Sequence, residues 1–247
     1  MNGLGQSTVP FYDFHITLGM VPAMVHTDPQ DIAIIGMGAG ATLFAAGGRH
    51  ETKSLTCIEI VKPLLLSLMD HEDRRSYPGL HSIFNDGRIN YVFGDGRSVI
   101  LNGDKKYDII EADALRTTSA YSGNLFSVEY FQLLKNHLKP GGIAVTAAPT
   151  QRIINGFVKV FPNAVLVRTN DTLILGSNEK INWDIEKISA RLRDQFTKSY
   201  YARVGVDVES LIAIFSAHHQ VFTPQFDRIK LTDYNTDLFP KDEFLAH

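Results

Sequence analysis

A single cysteine, Cys57, stands in a chain of 247 residues, so no disulfide can close within it. It lies inside an apolar stretch, which suits a small buried hydrophobe better than a nucleophile. Positive charge is not in excess either. The formal net charge of -3 argues against a general nucleic-acid binder. Every long apolar stretch is broken by Gly, Pro or charge well short of the roughly 20 residues a membrane span requires. The N-terminus has no signal-peptide pattern. The pair His218-His219 has no companion ligands at zinc spacing, so no metal is expected. No serine elbow and no supported Cys-His pairing is present. What remains, 44% hydrophobic, is enough for one soluble domain with a proper core, expected in the cytoplasm, with no membrane or nucleic-acid partner.

Against those absences stands the segment Gln30-Asp-Ile-Ala-Ile-Ile-Gly-Met-Gly-Ala-Gly-Ala41. An apolar run of strand length enters three glycines at alternate positions, Gly36, Gly38 and Gly40, and then a helix-compatible stretch. Such glycines allow a tight turn and let backbone approach a ligand without Cβ obstruction. A second apolar run, Leu55-Thr-Cys-Ile-Glu59, ends in an acid placed to accept hydrogen bonds from a ribose diol. The G-x-G-x-G spacing differs from the dinucleotide fingerprint G-x-G-x-x-G and is nearer the S-adenosylmethionine type of loop.

The remaining pattern predicts alternating strands and helices. Phe14 to His26 has helical spacing with Pro22 as a kink or boundary. Strands are expected at 31–35, 55–60, 89–93, 107–112 and 143–147, and helices at 41–46, from Pro63, and at 128–138. Lys139-Pro-Gly-Gly142 is expected to stop the last of these. Segments 163–167 and 172–175 form a closing β-hairpin. Beyond Ser177 the pattern turns helical, at 183–196 and 208–217, and the tail from Thr223 wraps over the surface. The chain therefore divides into a nucleoside-binding unit, 1–177, and a helical or irregular extension, 178–247, packed on it. A mostly parallel sheet covered on both faces follows.

In such a sheet ligands lie beyond the carboxyl ends of the strands. Four ends matter: the glycine loop, Glu59, Gly94-Asp95-Gly96 and Glu111-Ala-Asp113. Asp95 is placed to accept a hydrogen bond from an adenine amino group, or else to cap a helix starting near Arg97. Asp113 suits a general base, and equally a helix cap or a brace for its loop. Glu111, two residues earlier, shares its face if the strand extends that far. His15 on the first helix edges the pocket or is a satisfied structural residue.

Taken together these residues resemble the catalytic domain of the spermidine and spermine synthases, polyamine aminopropyltransferases, over about Gln6 to Thr150. Gly36-Met-Gly-Ala-Gly-Ala41 stands where that family has G-G-G-D-G-G, and Cys57-Ile-Glu59-Ile matches its C-E-I-D strand end. Gly94-Asp95-Gly96 matches its adenine-contacting segment, and Tyr107-Asp-Ile-Ile-Glu-Ala-Asp113 its F-D-V-I-I-x-D. Leu125 to Leu133 and Leu138 to Gly142 continue the match. The resemblance implies a class I methyltransferase-like Rossmann fold, with a mostly parallel seven-stranded sheet, the closing hairpin and the C-terminal helical extension. It implies Asp113 as catalytic base, and Gly36, Gly38, Gly40, Glu59, Asp95, Gly96 and Ala114 around the nucleoside. His15, Arg116 and Tyr121 fall on the acceptor side. The implied co-substrate is decarboxylated S-adenosylmethionine or S-adenosylmethionine itself, and the implied partner a polyamine or other amine.

This chain also departs from the family pattern. The loop acid that meets the donor's amine falls at Ala39, and the second acid of the D-S-x-D-P loop falls at Arg116. The gate tyrosine becomes Phe14, no Y-P-T-x-P-S-G loop lies between Phe161 and Gly176, and the N-terminal β-domain used for tetramers has no counterpart. A diamine is dicationic, and exchanging an acid for Arg116 changes local charge by two units in the unfavourable direction. Three functions therefore compete: aminopropyl transfer with a diverged acceptor, S-adenosylmethionine-dependent methyl transfer, and nucleoside binding without turnover. Apolar residues in the first helix and the tail allow a homodimer.

Overall fold

The computed structural model describes residues 7–11, 13–112, 117, 119, 121–169, 171–216 and 218–245. In chain order the elements are α1 (Asp13–Val25), β1 (Asp31–Ile35), α2 (Ala41–Ala46), β2 (Ser54–Glu59), α3 (Lys62–Arg74), α4 (Pro78–Phe84) and β3 (Ile89–Phe93). Then come α5 (Gly96–Asn102), β4 (Tyr107–Ala112), α6 (Gly123–Phe126), α7 (Val128–Asn136), β5 (Leu138–Ala147), α8 (Gln151–Val160), β6 (Asn163–Arg168) and β7 (Thr172–Ser177). The extension adds α9 (Ile185–Arg193), α10 (Gln195–Ala202), α11 (Val208–Ser216), β8 (His219–Phe222) and α12 (Lys241–Leu245).

All strands join one sheet in the order β3-β2-β1-β4-β5-β7-β6-β8. The first five are parallel, and β7, β6 and β8 continue antiparallel. Side-chain alternation explains why the parallel strands read as continuous apolar runs. Ile32 and Ile34 enter the core shared with α1, α2, α4 and α9 to α11, while Ala33 and Ile35 enter the core under α5 to α8.

The sheet has eight strands, not the seven expected. β8 pairs along β6, with Val165 opposite Val221, and its four residues are too short to show a period in sequence. The segment Lys139–Gly142 does not end a helix; it lies inside β5. Tyr107 pairs with Leu138 and Ile109 with Ile143, so one residue of β4 faces four of β5. Pro140 and Gly141, at φ 73°, sit in that bulge, where no ladder bond is required of them. Lys139 anchors it, its Nζ lying 2.5 Å from Asp31 and 2.9 Å from Asp108.

The single helix expected over 183–196 is two. Asp194 ends α9 and its carboxylate accepts from Phe196 N and Thr197 N to start α10. α8, absent from the sequence reading, is started by Thr150 Oγ1 accepting from Ile153 N. Pro22 lies within α1 rather than at its end. The apolar residues of α1 are spent inside this chain, since Ile16 and Leu18 to Val25 are buried in its own core, whereas Leu238, Phe239 and Phe244 of the tail are exposed. Cys57 is buried as expected, its thiol pushed up to about 12 by loss of water contact, with Glu59 and Glu111 adding to the effect.

α10 closes the back of α2. Tyr200 stacks on Phe44 at 4.5 Å and its hydroxyl donates to Phe44 O, while Tyr201 donates to Ala45 O at 2.7 Å. These hydroxyls satisfy carbonyls at the end of a helix too short to cap itself. Tyr201→Phe is expected to lower unfolding free energy by about 1 kcal/mol, since Ala45 O keeps its bond from Gly48 N. Urea titration of both proteins checks this.

Candidate functional site

Helix α1 ends just before β1 begins, so its first residues stand at the same end of the sheet as the carboxyl ends of β1 to β4. There the chain turns through Gly36, Gly38 and Gly40, at φ 92°, 51° and 94°. Gly40 shows why the residue type matters. It is left-handed at the start of α2, and a Cβ there would run into Ile83 Cδ1. Gly40 N donates to Met37 O, which closes the turn.

Glu59 holds this loop. Its Oε2 accepts from Met37 N at 2.8 Å and its Oε1 from Val61 N at 2.7 Å, and the residue is 6% exposed. One carboxylate thus ties the loop after β1 to the start of α3. A carboxylate offers about four acceptor positions, so two remain beyond those bonds. Apolar side chains stand open beside it: Ile60 is 68% exposed, and Val61 and Phe93 are exposed too. The Lys62 ammonium lies 5.5 Å from the centre of the Phe93 ring.

Asp95 takes the capping role. Its Oδ1 accepts from Ser98 N at 2.8 Å, starting α5, and the residue is exposed at the end of β3. Gly96 is buried against β1, where a Cβ would strike Ile35 Cγ2. Glu111 is buried within β4, opposite Ile34 and Val145, so the strand does extend that far. Asp113, Ala114 and Arg116 lie outside the described residues.

His15 is half-buried on α1, its Nδ1 enclosed without a hydrogen bond among the described residues. Burial lowers its pKa below 6.5, and Asp171 acts in the opposite direction. Tyr121 stands away from the protein, 78% exposed at φ 67°. Its N–H donates to Glu243 Oε1 at 2.8 Å, and Gly123 N donates to Oε2 of the same carboxylate. The structure therefore gathers the glycine loop, Glu59, Asp95 and Gly96 at one end of the sheet, and leaves the Tyr121 ring in solvent.

Two groups here escaped the sequence reading. Ser7 Oγ accepts from Ala39 N at 2.8 Å, and Phe11 packs on Phe44 and Tyr77, so the segment before α1 lies on the glycine loop. From the tail, Glu243 braces the loop after β4. Asp237 pairs with both terminal nitrogens of Arg97, at 2.7 and 2.5 Å. Neither a lone serine before a helix nor a tail carboxylate has a motif to announce it.

Compared with known proteins, the model of the spermine/spermidine synthase domain matches residues 13–159. A polyamine aminopropyltransferase of Pyrobaculum islandicum is 32% identical over 137 residues, 51% of this chain and 44% of that protein. One from Desulforudis audaxviator is 27% identical over 173 residues, 66% and 61% respectively. The chain thus spans about half the length of the curated relatives it matches. A solved spermidine synthase in complex with the transition state analogue AdoDATO superposes with TM-score 0.62 at 18% identity, covering 82% of this chain and 75% of that one. Human methyltransferase-like protein 13 in complex with SAH gives 0.50 at 15% identity, covering 77% and 88%. At these identities the structural likeness speaks for the fold, the Rossmann-like methyltransferase architecture.

Proposed function

This chain belongs to the spermine/spermidine synthase domain family, and on that premise we propose that it transfers an aminopropyl group from decarboxylated S-adenosylmethionine to an amine. The observation that carries the reading is the Glu59 carboxylate at the tip of β2, gripping the glycine loop while keeping acceptor positions for a ribose diol. Gly36, Gly38, Gly40 and Gly96 let backbone approach the nucleoside. Asp95 has a second oxygen for the adenine amino group, and the family pattern assigns Ala114 to the nucleoside as well. Ile60, Val61 and Phe93 offer apolar surface for the purine.

In this reaction the lone pair of the acceptor nitrogen attacks the propyl carbon bound to sulfur. The C–N bond forms as the C–S bond breaks, and the sulfonium leaves as a neutral thioether. The proton lost by the nitrogen passes to Asp113. The leaving group is already good, so the protein's contribution is mostly positioning. The acceptor is the diverged part. With Ala39 and Arg116 where the family has acids, a bare diamine lacks its counter-charges, and an amine that itself carries a carboxylate suits Arg116. His15 lines the same side.

A second reading, methyl transfer from S-adenosylmethionine, is favoured by Ala39, since no acid there repels a donor carboxylate. Calorimetric titration of both donors into one preparation separates the two. Tighter binding of the decarboxylated compound by about tenfold or more supports aminopropyl transfer. Reversed preference moves the assignment to methyl transfer, and binding of neither by folded protein overturns the nucleoside site.

A further inference from the structure

We propose that a second ligand site, for a small anion bearing a flat ring, lies at the opposite end of the sheet. A cleft of about 720 Å³ opens there between α4, the turn before β3, and α10. Thr52, two residues before β2, and Arg88, one before β3, form its floor. Glu59 is at the far end of β2, whose six residues at ~3.3 Å each separate the two sites by roughly 20 Å.

Three features define what fits. The first is Thr52, 2% exposed, whose Oγ1 is enclosed without a hydrogen-bond partner. A buried hydroxyl left in that state carries a cost that a ligand's polar atom would relieve on reaching it. The second is Arg203, whose guanidinium lies 5.1 Å from the Tyr200 ring centre and has no carboxylate at ion-pair distance among the described residues. Arg88 differs, because Asp86 and the carbonyls of Gly47, Arg49 and Thr52 occupy its fork. Asp86 pairs directly with Arg88 and acts on Arg203 only at longer range, so Arg203 is the lining guanidinium whose fork is open to an anion. The third is the set of rings. Phe196 stacks toward Tyr200 at 5.9 Å, His50 meets the Phe196 ring at 6.3 Å, and His81 lines the cleft from α4.

A planar ring stacks on Phe196 and the imidazoles while its phosphate or carboxylate meets the planar fork of Arg203. The adenosyl-sulfonium donor carries positive charge at sulfur and is mismatched here. Tyr200, fixed through its hydroxyl to Phe44 O, keeps this wall rigid.

Titrations of the whole chain with phenyl phosphate and benzoate, followed by the His50 and His81 ring proton signals, test the site. Inorganic phosphate and phenol serve as the charge-only and ring-only probes. At least one aryl anion is expected to bind about tenfold tighter than either half, and the stronger of the two identifies the acid group. Arg203→Ala should cost about tenfold, with part recovered in Arg203→Lys. Thr52→Val should weaken binding yet raise the unfolding temperature of the free protein, since it removes an unsatisfied buried hydroxyl. The proposal fails if the aryl anions bind no better than inorganic phosphate. It fails equally if Arg203→Ala binds like the parent, or if the signals that move belong to the glycine loop and not to His50 and His81.

Discussion

Asp113→Asn is expected to lower turnover by about 10²–10⁴ while changing donor affinity by no more than about threefold. β4 lies beside β1, parallel to it, and its last residue, Ala112, pairs with Ile35, so β4 ends at the same end of the sheet as Glu59 and the glycine loop. An alkylamine near pH 7 is mostly protonated, its ordinary pKa being about 10.4, and only the free base has a lone pair to attack carbon. A carboxylate in contact with that nitrogen accepts its proton as the new bond forms. Asparagine keeps shape and size but accepts no proton at its amide, so the loss belongs in kcat. Single-turnover kinetics beside calorimetric donor binding give both quantities. Unchanged turnover in Asp113→Asn would remove this residue from the chemistry, and loss of donor binding as well would make it a brace for its loop.

The parts of the fold that were legible in sequence are those whose residues face a core on both sides. β1 and β4 occupy the expected residues, because a strand buried between two helical layers is apolar at most positions; β3, the edge strand, matches as well through its apolar Ile89, Tyr91, Val92 and Phe93. The glycine loop and Glu59 were legible for a different reason, since each needs a rare residue type at a fixed strand end. What was hidden depends on partners distant in sequence. β8 exists because β6 offers it an edge, and the bulge at Lys139–Gly142 because Asp31 and Asp108 hold the ammonium of Lys139. Asp95 was the ambiguous residue, and its side-chain Oδ1, accepting from Ser98 N, establishes the capping role. Ser7 and Glu243 reach their loops from 32 and 122 residues away, beyond the range of any local pattern.

Glu59→Ala is expected to lower unfolding free energy by roughly 3 kcal/mol and to weaken donor binding by about 100-fold or more. Both effects follow from one geometry. Met37 N and Val61 N point at a carboxylate that is nearly enclosed, and removing it strands Met37 N where water has little access and leaves Val61 N, at the partly buried rim, to water. Each charged-acceptor bond is worth about 1.5–3 kcal/mol, so the estimate assumes partial recovery by water. Glu59→Gln separates the bonds, because its amide oxygen serves one N–H while its NH₂ meets the other donor head-on. It should fall between parent and Ala in stability. In binding it should lie close to Ala, since the loop is released and an acceptor for the ribose diol is lost together. Denaturant titration and calorimetry on the same preparations separate the two roles. If both variants lose stability while the folded protein still binds donor with parental affinity, Glu59 braces the loop and nothing more, and the ribose must find its acceptor elsewhere at the strand ends.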